Sequence, residues 1–372
     1  MSANENECGV ANAFSNNFSE AREKFLLAAR KAGAGQVDSF DHPLSGPDGK
    51  PLACDVAFFG DPGARHLIVT LSGLHGVEAW AGAACQVAWC QDGRAARLPA
   101  DVAIAHVHAI NPWGMAWDRR QQEDNIDLNR HFVDFEHLPD DSEYGEYVGD
   151  VMCPETDPDA RRKADTRLAD FLRRAGRRHY GMVLQGGQYR YPDAPSFGGV
   201  KPSWSHGVLD RILAAHCARA KRIVVCDFHT GYGPYGYGVP LWHLGEGPQL
   251  DKARILFGPT LEAPLAGEGA EDEYIQHGHL YGHVMARLPD QDVVAMCFEF
   301  GGEVLRPGER ALLERADALM WRDQDRLSKE SRAARRRWRH IHVPDRDDWR
   351  EMVLARGGQV LRELTSRIGQ LD

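Results

Sequence analysis

The chain has 372 residues, 43% of them apolar, enough for one large α/β domain with an extension or for two modest domains. Its 44 basic and 54 acidic residues leave a net charge of −10, which argues against a general nucleic-acid surface. No run approaches the roughly 18 apolar residues of a membrane span, the first residues lack the basic and apolar regions of a signal peptide, and the eight cysteines are scattered without a CxxC pair. A reduced, cytoplasmic protein is expected.

Residues 1–16 show no pattern. Residues 19–31 carry Ala21, Phe25, Leu26 and Ala29 at helical spacing, and Gly33 and Gly35 close that helix. Strands are predicted at 38–43 and 52–59, joined by the turn-rich SGPDGK. The apolar run 66–71 reads as a buried strand. A Gly-containing turn, a helix at about 78–91 and a strand at 101–110 complete a βαβ unit with a parallel core. Segment 111–132 (NPWGMAWDRRQQEDNIDLNRHF) is long, polar and aperiodic. A loop of that kind straight after a sheet strand is more often functional than idle.

Residues 133–157 read as acidic and irregular, 158–178 as a charged amphipathic helix, and 185–205 as a Gly-, Pro- and aromatic-rich loop suited to a pocket wall. A helix is predicted at 208–220, a strand at 222–228 running into His229, a short strand at 239–244 and another at 293–300 before Gly301 and Gly302. Helices at 307–331 and 346–369 follow. The basic run 332–339 reads as a solvated helix face.

Three buried strands therefore deliver polar residues at or near their ends: His75 with Glu78, His229, and Glu299. Open α/β folds place their ligands at that edge, and residues three apart in a helical turn can face the same way. Burying Glu299 within VVAMCFEF costs free energy unless it is paired, binds metal or opens onto a cleft. Two imidazoles and a carboxylate, with a further carboxylate nearby, have the composition of a catalytic zinc site. His106 and His108, two apart on a strand, point to one face and are expected to be satisfied core or surface residues.

On these landmarks the chain resembles the zinc carboxypeptidase superfamily, and within it a bacterial branch of unknown function. The resemblance covers about residues 15–305 in order and spacing. HGVE looks like the first metal motif, NPWG with Arg120 and DLNR like the substrate-anchoring segment, DFHTG like the third-ligand motif, and FEFGG like the motif of the catalytic carboxylate. The resemblance implies His75, Glu78 and His229 as ligands of one Zn2+ per chain. It implies Glu299 as the base that takes a proton from the attacking water and hands it to the leaving group. Arg120 would stabilise the oxyanion, with its neighbour Arg119 left open, and Asn129 and Arg130 would hold a substrate carboxylate. Asp127 is expected to orient Arg130 or a ligand histidine. The superfamily also uses a mobile tyrosine; Tyr274 and Tyr281, in a loop with His277, His279 and His283, are candidates without an assignment.

The implied fold is a mixed, mostly parallel twisted sheet of about eight strands with helices on both faces. A helical C-terminal extension, 306–372, would pack on a catalytic domain of 15–305. The gap from Glu78 to His229 is longer than in the digestive enzymes, so 133–205 should reshape the pocket. The implied activity is zinc-dependent hydrolysis of an amide bond in a substrate with a free carboxylate, first of all a carboxypeptidase acting on small peptides. An N-acyl amino acid deacylase of the aspartoacylase type shares the same patterns. A non-catalytic zinc-stabilised binding protein is the alternative of another class.

Overall fold

The computed structural model describes residues 13–371 except 155, 268, 306–308 and 323–324; the unpatterned residues 1–12, with Cys8, lie outside the described residues, as does the start of the helix predicted at 307–331. Helix α1 (Phe18–Lys31) begins where the Asn17 side chain accepts from the Glu20 amide at 3.0 Å. Its Phe25 and Ala29 are fully buried, as the spacing requires. Strands β1 (Gln36–Ser45) and β2 (Pro51–Phe59) form an antiparallel hairpin.

The sheet continues with β3 (His66–Ser72), β4 (Val102–His108), β5 (Arg222–Tyr235), β6 (Gly238–Leu241) and β7 (Asp292–Gly301). Among the described residues it has seven strands in the order β1-β2-β4-β3-β5-β7-β6, against about eight expected. The four central strands are parallel, and antiparallel strands flank them on both edges. Every residue of β3 and β4 is buried, because helices cover both faces. On one face Ile68 and Phe228 meet α1 and α2 (Ala79–Gln91). On the other, Leu67 and Val69 meet Leu209 of α6 (Trp204–Ile212) and Val284 of α8 (Leu280–Arg287).

Several elements depart from the sequence expectation. Segment 111–132 opens with the short α3 (Pro112–Ala116), capped by Asn111 Oδ1 accepting from the Gly114 amide at 2.8 Å. Segment 133–157 contains a helix, α4 (Tyr144–Val151). Its Tyr144 and Tyr147 pack with Phe171 and Leu184 of α5 (Pro158–Gln185) in a separate small core. Tyr144, Tyr147 and Val151 already have helical spacing, but the surrounding acids mask it. Helix α5 overruns its predicted end despite a break at Gly176, where φ is +77°. Helix α6 is followed by a wider turn at Leu213–Cys217, and α7 (Pro248–Phe257) lies between β6 and α8. Strand β5 runs seven residues past its predicted end, to Tyr235, so His229 sits within a strand.

The tail is three helices. α9 (Glu309–Arg322) stops short of the predicted 331, and Ser328 caps α10 (Lys329–His342) by accepting from the Ser331 amide at 3.1 Å. The basic run is not simply a solvated face: Arg339 lies 3.7 Å above the Trp80 ring and Arg335 lies 5.5 Å from the Trp117 ring. Helix α11 (Asp347–Arg367) inserts Trp349, Val353 and Val360 into the main core. Trp349 Nε1 also donates to the carbonyl of Gly301, at the end of β7, at 2.8 Å.

Candidate metal centre

His75 follows β3 at the N-cap of a single 3-10 turn, Gly76–Glu78, which leads into α2. This turn is clamped to segment 111–132 through its backbone: Gly76 N donates to Arg120 O at 3.1 Å and Val77 N to Arg119 O at 2.8 Å. Only glycine fits at 76, since a Cβ there would overlap the backbone of Gly114 and Met115. On the other side of the site, β5 and β7 pair in parallel with His229 opposite Glu299. Partners in register project to the same face.

Three donors converge where these elements meet. His75 Nδ1 is 3.0 Å from Glu78 Oε1, His229 Nδ1 is 3.0 Å from Glu78 Oε2, and the two Nδ1 atoms are 3.2 Å apart. Zinc–ligand bonds of about 2.0–2.2 Å in a tetrahedron place donors about 3.3–3.6 Å apart. The residues therefore fit one ion with little movement. His75, Glu78 and His229 are respectively 4%, 2% and 2% exposed, so the ion would be largely desolvated on the protein side.

The outer nitrogens explain why Nδ1 faces inward. His75 Nε2 is 3.2 Å from Asp127 Oδ1, and His229 Nε2 is 2.6 Å from Asp227 Oδ2. A carboxylate behind each ring holds the proton on Nε2 and leaves the Nδ1 lone pair for a metal. Burial opposes charge on His229, but Asp227 and then Glu78 outweigh it and raise the imidazole well above its usual range. Burial likewise opposes charge on Glu78, yet the charge of His75 and the hydrogen bond from His229 hold the carboxyl well below the usual range. The carboxylates thus favour positive charge at this site. Glu78 Oε2 also accepts from the Thr230 amide at 3.1 Å.

Arg120 reaches this centre. Its Nη1 donates to Glu78 Oε1 at 3.1 Å and its Nε to Asp127 Oδ2 at 3.2 Å. Arg119 turns the other way: it meets both carboxylate oxygens of Asp317 on α9, at 3.0 and 2.8 Å, and Asn125 Oδ1 at 2.9 Å. Asp127 bridges His75, Arg120 and the amide of Asn129, the last at 2.9 Å, rather than bonding Arg130. Asn129 and Arg130 are buried beside it, and Asn129 Oδ1 has no hydrogen-bond partner. Arg130 donates through Nε to Gln185 O at 2.7 Å and through Nη1 to Asn129 O at 2.9 Å. The aromatic loop predicted as a wall does close on this segment, with Tyr189 Oη donating to Arg130 O at 2.9 Å.

Of the further groups here, His243 and His342 escaped the sequence reading, whereas His279 and Tyr281 were candidates without an assignment. Asp227 lies two residues before His229 on one strand and so shares its face, a signal that was available. His342 arrives from α10, its Nε2 3.9 Å from Glu78 Oε1, and nothing local announced it. A buried stack of His243, His279 and Tyr281 has ring centroids 4.8 to 5.9 Å apart, and His243 Nε2 lies 3.4 Å from Cys297 Sγ. Burial lowers His243 to about 3. Tyr274, by contrast, bonds Gln185 Oε1 at 2.9 Å. His106 and His108 both lie in the core: His106 Nδ1 is 2.8 Å from Thr70 Oγ1, while His108 stacks on Phe25 at 4.6 Å and, contrary to expectation, neither of its ring nitrogens has a hydrogen-bond partner.

The fold is similar to that of solved structures, and His75, Glu78 and His229 form a group that could hold one metal ion. Bovine thrombin-activatable fibrinolysis inhibitor, in complex with tick carboxypeptidase inhibitor, is 11% identical and matches 97% of this chain and 99% of that one with a TM-score of 0.50. A metallo-carboxypeptidase from Pseudomonas aeruginosa is 12% identical over 93% of this chain and 68% of its own, with a TM-score of 0.43. A succinylglutamate desuccinylase from a Silicibacter species is 14% identical over 77% and 68%, with a TM-score of 0.38. No curated protein sequence matches the chain. The chain belongs to the family described as protein of unknown function (DUF2817), whose model matches residues 14–356 and so extends through α9 and α10 into α11.

Proposed function

We propose that the protein is a zinc-dependent hydrolase of an amide bond in a substrate with a free carboxylate, acting as a carboxypeptidase on small peptides. The observation that carries this reading is the convergence of His75, Glu78 and His229, with donors 3.0 to 3.2 Å apart, next to Arg120 and in register with Glu299. Zinc held there would polarise a carbonyl and bring the pKa of a water towards neutrality. Glu299 would take a proton from the attacking water and pass it to the leaving nitrogen; its register opposite His229 supports this role.

Arg120 serves the developing oxyanion. Burial disfavours its charge, but Asp127 and Glu78 outweigh this, so it stays positive throughout the working pH range. Arg130, engaged through Nε and one side of Nη1, keeps the end of its fork for a carboxylate. The buried, unpartnered Asn129 Oδ1 supports a polar ligand at the same place.

The test is a panel of small peptides, each with a free or an amidated C-terminus, together with N-acyl amino acids, incubated with zinc-loaded protein. Release of the C-terminal residue only from free peptides supports the proposal. Equal cleavage of amidated peptides removes the carboxylate anchor, and turnover of N-acyl amino acids alone makes the protein a deacylase.

A further inference from the structure

A second group of donors lies on the helices covering the other face of the sheet. His206 and Asp210 stand one turn apart on α6, and His283 projects from α8. His283 Nε2 is 2.8 Å from Asp210 Oδ1, and His206 Nε2 is 3.9 Å from Asp210 Oδ2. The two rings are T-shaped with centroids 4.7 Å apart, and one donor atom from each residue lies within 4.8 Å of the others.

As a hydrogen-bond cluster this arrangement is incomplete. The contact between His206 and Asp210 is too long for a hydrogen bond. His206 is 8% exposed and its Nδ1 is buried without a hydrogen-bond partner. Burial lowers His206 to about 4 and also lowers His283, so both imidazoles are neutral at pH 7, the form that binds metal. Arg287 Nε, 3.3 Å from Asp210 Oδ1, competes for the carboxylate, but its side chain is 52% exposed and free to turn into solvent.

We propose that His206, Asp210 and His283 form a second site for a divalent transition-metal ion, separate from His75, Glu78 and His229. Two imidazoles and one carboxylate favour zinc or its late first-row neighbours over magnesium or calcium, which prefer oxygen donors. Donor spacings of about 3.3–3.6 Å are needed around one zinc ion, so the longer gap closes by a small rotation of Asp210 or His206. The ion would staple α6 to α8 against Phe132, whose ring lies 4.8 Å from His283 and 5.0 Å from His206. Ser203, which caps α6, already donates its amide to His131 Nε2 at 3.1 Å. His131 and Phe132 directly follow Asn129 and Arg130, so this metal would brace the segment that carries the proposed substrate anchors.

Zinc per chain, measured by elemental analysis after equilibrium dialysis at micromolar zinc, tests the proposal. The expected values are two for wild type, one for His75→Ala/His229→Ala, one for His283→Ala, and none when the three substitutions are combined. His206→Gln and Asp210→Asn should each also lose one equivalent, and circular dichroism and thermal melts check that each variant is folded. In the His75→Ala/His229→Ala protein, zinc should raise the melting temperature, and it should not do so once His283 is replaced by Gln. Wild type saturating at one zinc, with none bound by folded His75→Ala/His229→Ala, overturns the second site and leaves the first intact. Two equivalents that survive His283→Ala and His206→Gln also overturn it.

Discussion

Asp127 and Asp227 have the same task on opposite sides of the metal centre. Each accepts from the outer nitrogen of a ligand histidine and so aims the inner one. Asp227→Asn should therefore weaken zinc binding about 10- to 100-fold without removing a ligand; competition with a chelator measures this. Glu299→Gln should lower kcat by about 10²–10⁴-fold and leave the zinc content unchanged. The adjacent arginines should separate cleanly. Arg120→Ala removes the proposed partner of the oxyanion and should cost about 10²–10³ in kcat. Arg119→Ala strands the buried carboxylate of Asp317 and should lower stability by about 3–5 kcal/mol, read from urea unfolding. The cluster of His75, Glu78 and His229 was legible in the sequence because residue chemistry and strand ends mark it, and Glu299 stood out as a carboxylate in an apolar strand. The choice between Arg119 and Arg120 was not, since it depends on which way two neighbouring side chains turn towards distant partners.

Among the elements, the metal turn and the arginine segment behave as one unit because their backbones are hydrogen-bonded together. Gly76→Ala would force them apart at Gly114 and Met115. We expect lower zinc affinity and a lower melting temperature together, whereas a surface glycine such as Gly149, with open space around it, should affect zinc affinity little when replaced. The βαβ core was readable from apolar runs and turns. The continuation of β5 to Tyr235 was not, because Gly231, Gly233 and Pro234 read as a loop; they form an irregularity between Thr230 and Tyr235 in the pairing of β5 with β7. Helix α11 shows the reverse case: its helicity was readable, but its insertion into the main core was not. Trp349→Ala should cost about 3–5 kcal/mol and loosen the end of β7 through the lost bond to Gly301.

Over the whole molecule, buried imidazoles set the response to acid. Burial lowers His106 to about 3, and His108 and His131 to about 4. In the unfolded chain the same groups titrate near 6.5. Between those values the unfolded chain binds protons that the folded chain refuses. Stability is therefore complete above about pH 6.5 and falls as pH drops, by about 1.4 kcal/mol per pH unit for each such group. The raised pKa of His229 acts in the opposite sense: its contribution is present below the unfolded value and lost as pH rises through the folded one. His206, His243 and His283 are lowered as well, so these groups outweigh His229 and the urea midpoint of the metal-free protein should drop steeply from pH 7 to pH 5. A flat profile would mean that these rings are solvated.

Local chemistry decided the motifs, and these include the central strands, the turns after them and the ligand types, because strand, turn and helix periods are written in neighbouring residues. Long-range packing decided the rest. The register of β5 on β7 places Glu299 beside His229, Asp127 crosses to His75, and His342 returns from α10 to the edge of Glu78. The meeting of α6 with α8 joins His206 and Asp210 to His283. Such contacts arise between residues with no sequence relation, and only the closed core brings them within a few ångströms.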